Sequence, residues 1–155
     1  MRTTRTHSLI AATDAVATAM DTDGFLLARA THDPAHISAR VVRMGPGRVR
    51  VDSTMHARGK TGSIDRTRQE SSSITYEWDS ARRTLRWIWT GRTVIPVEVR
   101  GTWSLEPDGG GTRLSSEVEV TVKARLVGRL VEGIVSKQLS SAEDALPGDI
   151  GAHLG

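Results

Sequence analysis

The stretch GTWSLEPDGGGTRLSSEVEVTVKARLVGRLVEGIV, residues 101–135, changes hydrophobic period halfway along. Trp103 and Leu105 alternate with Thr102 and Ser104, the two-residue period of a strand. Pro107-Asp108-Gly109-Gly110-Gly111 then reads as a hairpin turn, because its glycines supply the positive φ that tight turns require. Leu114, Ser116, Val118, Val120 and Val122 form one face of the returning strand, with Arg113, Glu117, Glu119 and Lys123 on the other. Beyond Lys123 the apolar residues recur every three or four positions: Leu126, Val127, Leu130, Val131, Ile134, Val135 and Leu139. That spacing predicts an amphipathic helix with Arg125, Arg129 and Glu132 on its wet side. A half-apolar antiparallel hairpin followed by a half-apolar helix is a layered α+β arrangement, in which the helix covers the sheet.

Upstream, the strand period continues. Ile95, Val97 and Val99 share the parity of Trp103. Leu85, Trp87 and Trp89 oppose Arg86, Ile88 and Thr90, while Ile74, Tyr76 and Trp78 oppose Thr75, Glu77 and Asp79. A further hairpin turns at Met44-Gly45-Pro46-Gly47, with Ile37, Ala39 and Val41 before it and Val49, Val51, Ser53 and Met55 after it. Residues 59–71 are polar and read either as a long loop or as a weakly specified strand. At the N-terminus, Thr-rich residues 2–9 suit a strand, 11–20 a helix, and 21–31 a second short helix that Asp23 would cap. At the other end, Pro147-Gly148 is expected to stop the long helix and leave residues 147–155 as a frayed tail. The expected organisation is one domain over residues 1–146 plus that tail.

This order of one strand, two short helices, six strands and one long helix resembles the START-like, or SRPBCC, superfamily. That group includes the birch-pollen-allergen fold and the polyketide cyclase/dehydrase proteins. The Gly-rich hairpin with Gly-Thr-Arg-Leu at 111–114 and the Gly-containing helix opening carry the most specific likeness, closest to a poorly characterised actinobacterial branch. The resemblance implies a helix-grip fold, a seven-stranded curved antiparallel sheet wrapped around the C-terminal helix. It also implies a cavity between them for apolar or amphipathic small molecules, in carriers, receptors and largely metal-free enzymes.

Composition narrows the remaining classes. The 155 residues contain no cysteine, which excludes disulfides, Cys-based zinc sites, iron–sulfur ligation and a Cys nucleophile. The net charge of +3 comes from 21 Lys and Arg interleaved with 18 acids, without the basic cluster that nucleic acid requires, so no nucleic-acid partner is expected. No apolar run approaches the ~20 residues needed to span a bilayer. The first residues lack a signal-peptide core, and the cytoplasm is the expected location. The five histidines form no metal-binding motif: His32 and His36 are four apart, but Pro34 between them breaks a shared helical face. No metal or cofactor is expected.

The candidate site is the concave parity: Met55, Tyr76, Trp78, Trp87, Trp89, Val97, Val99 and Trp103, with Leu85 beside them. Leu126, Leu130 and Ile134 would face it from the helix. Equally, any of these residues could simply fill a core. The composition supports a pocket, because four Trp fall within residues 78–103 while the chain has one Phe and one Tyr. An indole offers a broad apolar face and one donor, which suits ligand ordering. If residues 64–78 form one strand, Arg66, Arg68 and Glu70 share the parity of Tyr76, and an Arg68–Glu70 pair would reach the cavity; otherwise they belong to a solvated loop. His56 alternates with Met55 and is expected to point away. Gly128 and Gly133 suggest close approach of the helix to the sheet, or a bend.

Three functions fit this reading. The first is binding or transport of a hydrophobic or amphipathic molecule, such as a lipid or polyketide. The second is a metal-free cyclase or dehydratase of secondary metabolism using the same cavity. The third is a protein-interaction module, which predicts a filled core and an exposed apolar patch. A monomer or homodimer suits all three.

Overall fold

The structure is a computed structural model that describes all residues except 60, 92–95 and 124–127, with Gly128 described only in its backbone. The expected Ile95, Leu126 and Val127 positions lie outside the described residues. Seven strands run β1 (Arg2–Leu9), β2 (His36–Arg43), β3 (Arg48–Arg58), β4 (Ile64–Asp79), β5 (Thr84–Gly91), β6 (Val97–Asp108) and β7 (Gly111–Val122). Three helices complete the fold: α1 (Thr13–Met20), α2 (Asp23–Ala30) and α3 (Gly128–Ala152). The sheet order is β1-β7-β6-β5-β4-β3-β2, with every neighbouring pair antiparallel. This is the helix-grip α+β fold: the chain enters on one edge, crosses to the other through α1 and α2, and meanders back.

Local chemistry sets these elements. At the β6–β7 turn Asp108 pairs with Gly111, leaving Gly109 and Gly110 as a two-residue loop with φ of 57° and 90°. Two successive positive φ values match the right-handed twist of a hairpin, and glycine adopts them without a Cβ clash. The α2 cap is Thr22 rather than the expected Asp23: its Oγ1 accepts the Phe25 N–H at 3.2 Å, and Asp23 occupies the first turn.

The long helix departs furthest from expectation. It continues through Pro147 to Ala152, so residues 147–152 are not a frayed tail. Pro147 has no N–H to offer the Glu143 carbonyl and so removes one helical bond. Burial offsets that loss, since Leu146 and Ile150 on either side are completely enclosed. Of the two expectations for Gly133, close approach to the sheet does not hold, because a Cβ there would meet open space.

The core occupies the concave face. Val16, Met20, Phe25 and Leu26 from α1 and α2 meet Leu105, Leu114, Val118 and Val120 of the sheet, and Leu146 and Ile150 of α3. Trp103 is its hub, with the Phe25 ring edge-on at 6.2 Å and the Tyr76 and Trp87 rings each at 6.0 Å. The convex face is charged, with cross-strand pairs such as Arg100–Glu119 at 3.1 Å and Lys123–Glu98 at 2.9 Å.

Candidate functional site

Beyond Trp103 the concave face is not filled. A cavity of about 530 Å³ lies between β3–β6, the C-terminal end of α2 and the first half of α3. Glycines keep it open. Trp87 stands directly across from Gly101, and a methyl there would overlap the indole. Gly91 gives Trp89 the same clearance. Both rings therefore lie down along the sheet, and the space above them stays empty. Gly62, at φ 82°, brings the β3–β4 turn to Ile134, where an added Cβ would sit 3.0 Å from Cγ2.

Of the expected site residues, Met55, Glu70, Tyr76, Trp87, Trp89, Val97, Val99, Trp103 and Ile134 line this cavity. Leu85 is fully buried in the core. Trp78 is half-buried at the far end of the sheet, where its backbone N–H donates to the Gly47 carbonyl at 2.8 Å. Leu130 is 60% exposed, because α3 turns Val131, Ile134 and Val135 inward instead.

Residues 64–79 do form one strand, yet Arg68 does not reach the cavity. His56 pairs with Gln69 but Ala57 pairs with Asp65, so residues 66–68 bulge out of the ladder. Strand alternation is lost across such a bulge. Asp65 fixes it, accepting from the Thr67 N–H at 3.0 Å, the Thr67 hydroxyl at 2.5 Å and Arg68 Nε at 2.8 Å. Those bonds, the Thr67 hydroxyl foremost and then Arg68, hold the Asp65 carboxyl down at about 2. Glu70 lies beyond the bulge, opposite Met55, and keeps the inward parity. His56 also differs from expectation, joining the lining beside a register shift, with its Nδ1 buried.

A polar cluster that the sequence reading did not single out closes one end. Arg29 of α2 and Glu143 of α3 have side chains 6% and 5% exposed and both line the cavity. Arg29 Nη1 donates to the Ala142 carbonyl at 2.8 Å and to Asp149 Oδ2 at 3.0 Å, while its guanidinium sits 5.4 Å from the Trp103 ring centre. His32 Nε2 lies 2.6 Å from the same Asp149 oxygen. Glu143 Oε2 accepts from the Ser116 hydroxyl at 2.5 Å. Nearby, Arg58 donates to Asp33 Oδ1 at 2.6 Å. Tyr76 is 3% exposed; burial first, and the nearby Glu143 charge also, push its hydroxyl up to about 12, so the phenol stays protonated at neutral pH.

The sequence did contain a signal for this cluster. Arg29 follows Phe25 and Leu26 at four and three residues, and Glu143 interrupts the stripe Val135, Leu139, Leu146, Ile150. A charge inside an apolar stripe requires a buried partner. Among the described residues no group of three or more His, Asp or Glu could hold a metal ion, and no helix is long and apolar enough to cross a membrane.

The fold is shared with solved structures that include a START superfamily protein. The chain superposes on the Zhui aromatase/cyclase from Streptomyces sp. R1128 with a TM-score of 0.68 at 15% identity, covering 97% of this chain and 93% of that one. It superposes on norcoclaurine synthase from Thalictrum flavum with a TM-score of 0.65 at 17% identity, covering 96% and 84%. A START superfamily protein from Mycobacterium smegmatis gives 0.61 at 15% identity, covering 97% of each chain. No curated protein matches the chain in sequence. In contrast, the model of a family described as a protein of unknown function, DUF2505, matches residues 4–145, from β1 through the polar cluster at Glu143, and the chain belongs to that family.

Proposed function

We propose that the chain binds an apolar or amphipathic small molecule in the cavity between sheet and α3. The supporting observation is the cavity itself. About 530 Å³ falls within the range of small-molecule sites, and its walls combine three indoles and several aliphatic side chains with polar groups gathered at one end. A void this large forfeits packing among its wall residues, a cost that a ligand would offset. The reading of a protein-interaction module expected a filled core, and this half of the core is not filled.

Native mass spectrometry of gently purified protein tests the binding reading. An adduct of a few hundred daltons is expected, and extraction would give its class. A clean apo mass, together with no quenching of Trp fluorescence by apolar probes, would overturn it. Trp87, Trp89 and Trp103 line the cavity, so occupancy should alter the emission.

The buried cluster at Glu143 favours a second reading, a metal-free cyclase or dehydratase-type enzyme. Glu143 is a carboxylate in a water-poor site beside a guanidinium, which suits proton transfer with stabilisation of developing charge. Two of the structural neighbours above are named as enzymes. Under this reading Glu143→Gln abolishes turnover while the protein still binds its substrate.

A further inference from the structure

We infer that the Glu143 end of the cavity is the subsite for a hydrogen-bond-donating group, a hydroxyl or an ammonium, on an otherwise apolar ligand; this rests on the cavity-binding reading above. Glu143 is buried and lines the cavity. Ser116 engages Oε2, whereas Oε1 makes no hydrogen bond among the described residues. The nearest cation, Arg29 Nη2, is 3.6 Å from Oε1, beyond hydrogen-bond reach. A carboxylate can only accept, so the ligand atom that completes Oε1 must donate.

Charge excludes the opposite choice, an anionic ligand held by Arg29. The guanidinium already faces two carboxylates, Asp149 at 3.0 Å and Glu143 at 3.6 Å. A neutral His32 leaves this cluster with one surplus negative charge, and a protonated one brings it only to neutrality. The other ionisable groups facing the cavity do not reverse the sign. Asp33 and Arg58 neutralise each other, Glu70 adds a carboxylate that offsets any charge on His56, and Lys137 is exposed. A third anion beside buried Glu143 and half-buried Asp149 would be repelled at low effective dielectric. The indoles of Trp87 and Trp103 supply the apolar wall for the rest of the ligand.

Three probes of one shape test this by calorimetric titration at pH 7: 2-(hydroxymethyl)naphthalene, 2-(aminomethyl)naphthalene and 2-naphthoate. The alcohol or the amine is expected to bind at least about tenfold more tightly than the carboxylate, the worth of one charge-assisted hydrogen bond. The tighter of the two states whether the donor is neutral or cationic. In Glu143→Gln the preference should fall below about threefold. Equal affinities, or a preference for naphthoate, would overturn the subsite and leave the cavity reading intact. No binding by any probe would overturn both. If circular dichroism shows that Glu143→Gln does not fold, the wild-type ratio decides alone.

Discussion

Trp103 and Trp89 project from neighbouring strands onto the same concave face, yet Trp103 is 1% exposed and Trp89 is only half-buried. The difference lies in what covers them. Over Trp103 and toward β7, α1, α2 and the last turns of α3 press Met20, Phe25, Leu26, Leu146 and Ile150 onto the sheet. Over Trp89 only the first half of α3 passes, and Val131, Ile134 and Val135 stand off across a cavity. One helix thus does two jobs. Its last turns build a core, and residues 131–143 roof a site. Stability should reside in the first and ligand affinity in the second.

The largest expected effect follows from removing the part of α3 that belongs to the filled half. Deleting residues 147–155 strips fully buried Ile150 and takes Asp149 from buried Arg29. Losing an enclosed Ile costs about 2–5 kcal/mol, and Arg29 gives up its 3.0 Å bond to Asp149 and keeps Glu143 at 3.6 Å, which adds about 1.5–3 kcal/mol. The sum rivals the whole stability of a typical domain, so urea denaturation followed by circular dichroism should find the truncated chain largely unfolded. A midpoint unchanged from wild type would mean that these residues do not belong to the core.

Next comes the tryptophan pair itself. Trp103→Ala should cost about 3–5 kcal/mol, as a large cavity opens in a packed region. Trp89→Ala should cost about 1 kcal/mol, because its ring already borders empty space. Affinity for the naphthalene probes should fall in Trp89→Ala. Equal stability losses would erase the distinction between the halves.

Gly101→Ala tests how the hollow is kept. The new methyl displaces the Trp87 indole from the sheet, and overpacking of this kind costs about 1–3 kcal/mol. The cavity that Trp87 lines offers the indole free space, so probe affinity should drop as well. Full affinity in Gly101→Ala would show that the glycine does not set the cavity's floor.

Most of this fold was readable from the chain, for a definite reason. Antiparallel strands with one wet face alternate strictly, so Trp87, Val99, Trp103 and Val118 declare their side in the sequence itself. Alternation fails where pairing is irregular, and Arg68 lies in a bulge that only the partner strand's register reveals. Composition cannot foresee that Pro147 is tolerated inside a helix, because the compensation comes from Arg29, Phe25 and the sheet. The polar end of the site was hidden for the same reason. Arg29 and Glu143 lie 114 positions apart, and a charge in an apolar stripe means little until its partner is known.

A smaller effect concerns the border between the halves, where Tyr76 packs on Trp103. It is the chain's single tyrosine, so the pH-dependent change in absorbance at 295 nm reports it alone. Its hydroxyl is pushed up to about 12 in the fold and returns to about 10 on unfolding. Above pH 10 the unfolded state therefore binds fewer protons than the native state, and stability falls as pH rises from 10 through 12. No phenolate should appear between pH 9 and 10.5 in native protein, whereas in denaturant the midpoint should sit near 10. A native midpoint at 10 would place the phenol in water and move the boundary of the filled half.

The smallest expected effect belongs to Arg68, which among the described residues pairs with Asp65 in the outward bulge and is exposed. Arg68→Ala should change stability by less than about 0.5 kcal/mol, as for other surface positions, and should leave the affinity of 2-(hydroxymethyl)naphthalene unaltered. Glu70→Gln, two residues away but past the bulge and on the cavity wall, should change that affinity. The two substitutions together ask whether the bulge divides β4 into a solvated segment and a site segment. Were Arg68→Ala to weaken binding tenfold while Glu70→Gln did not, the ladder would have to re-register on binding, turning the bulge inward and making the hollow half a structure that the ligand completes.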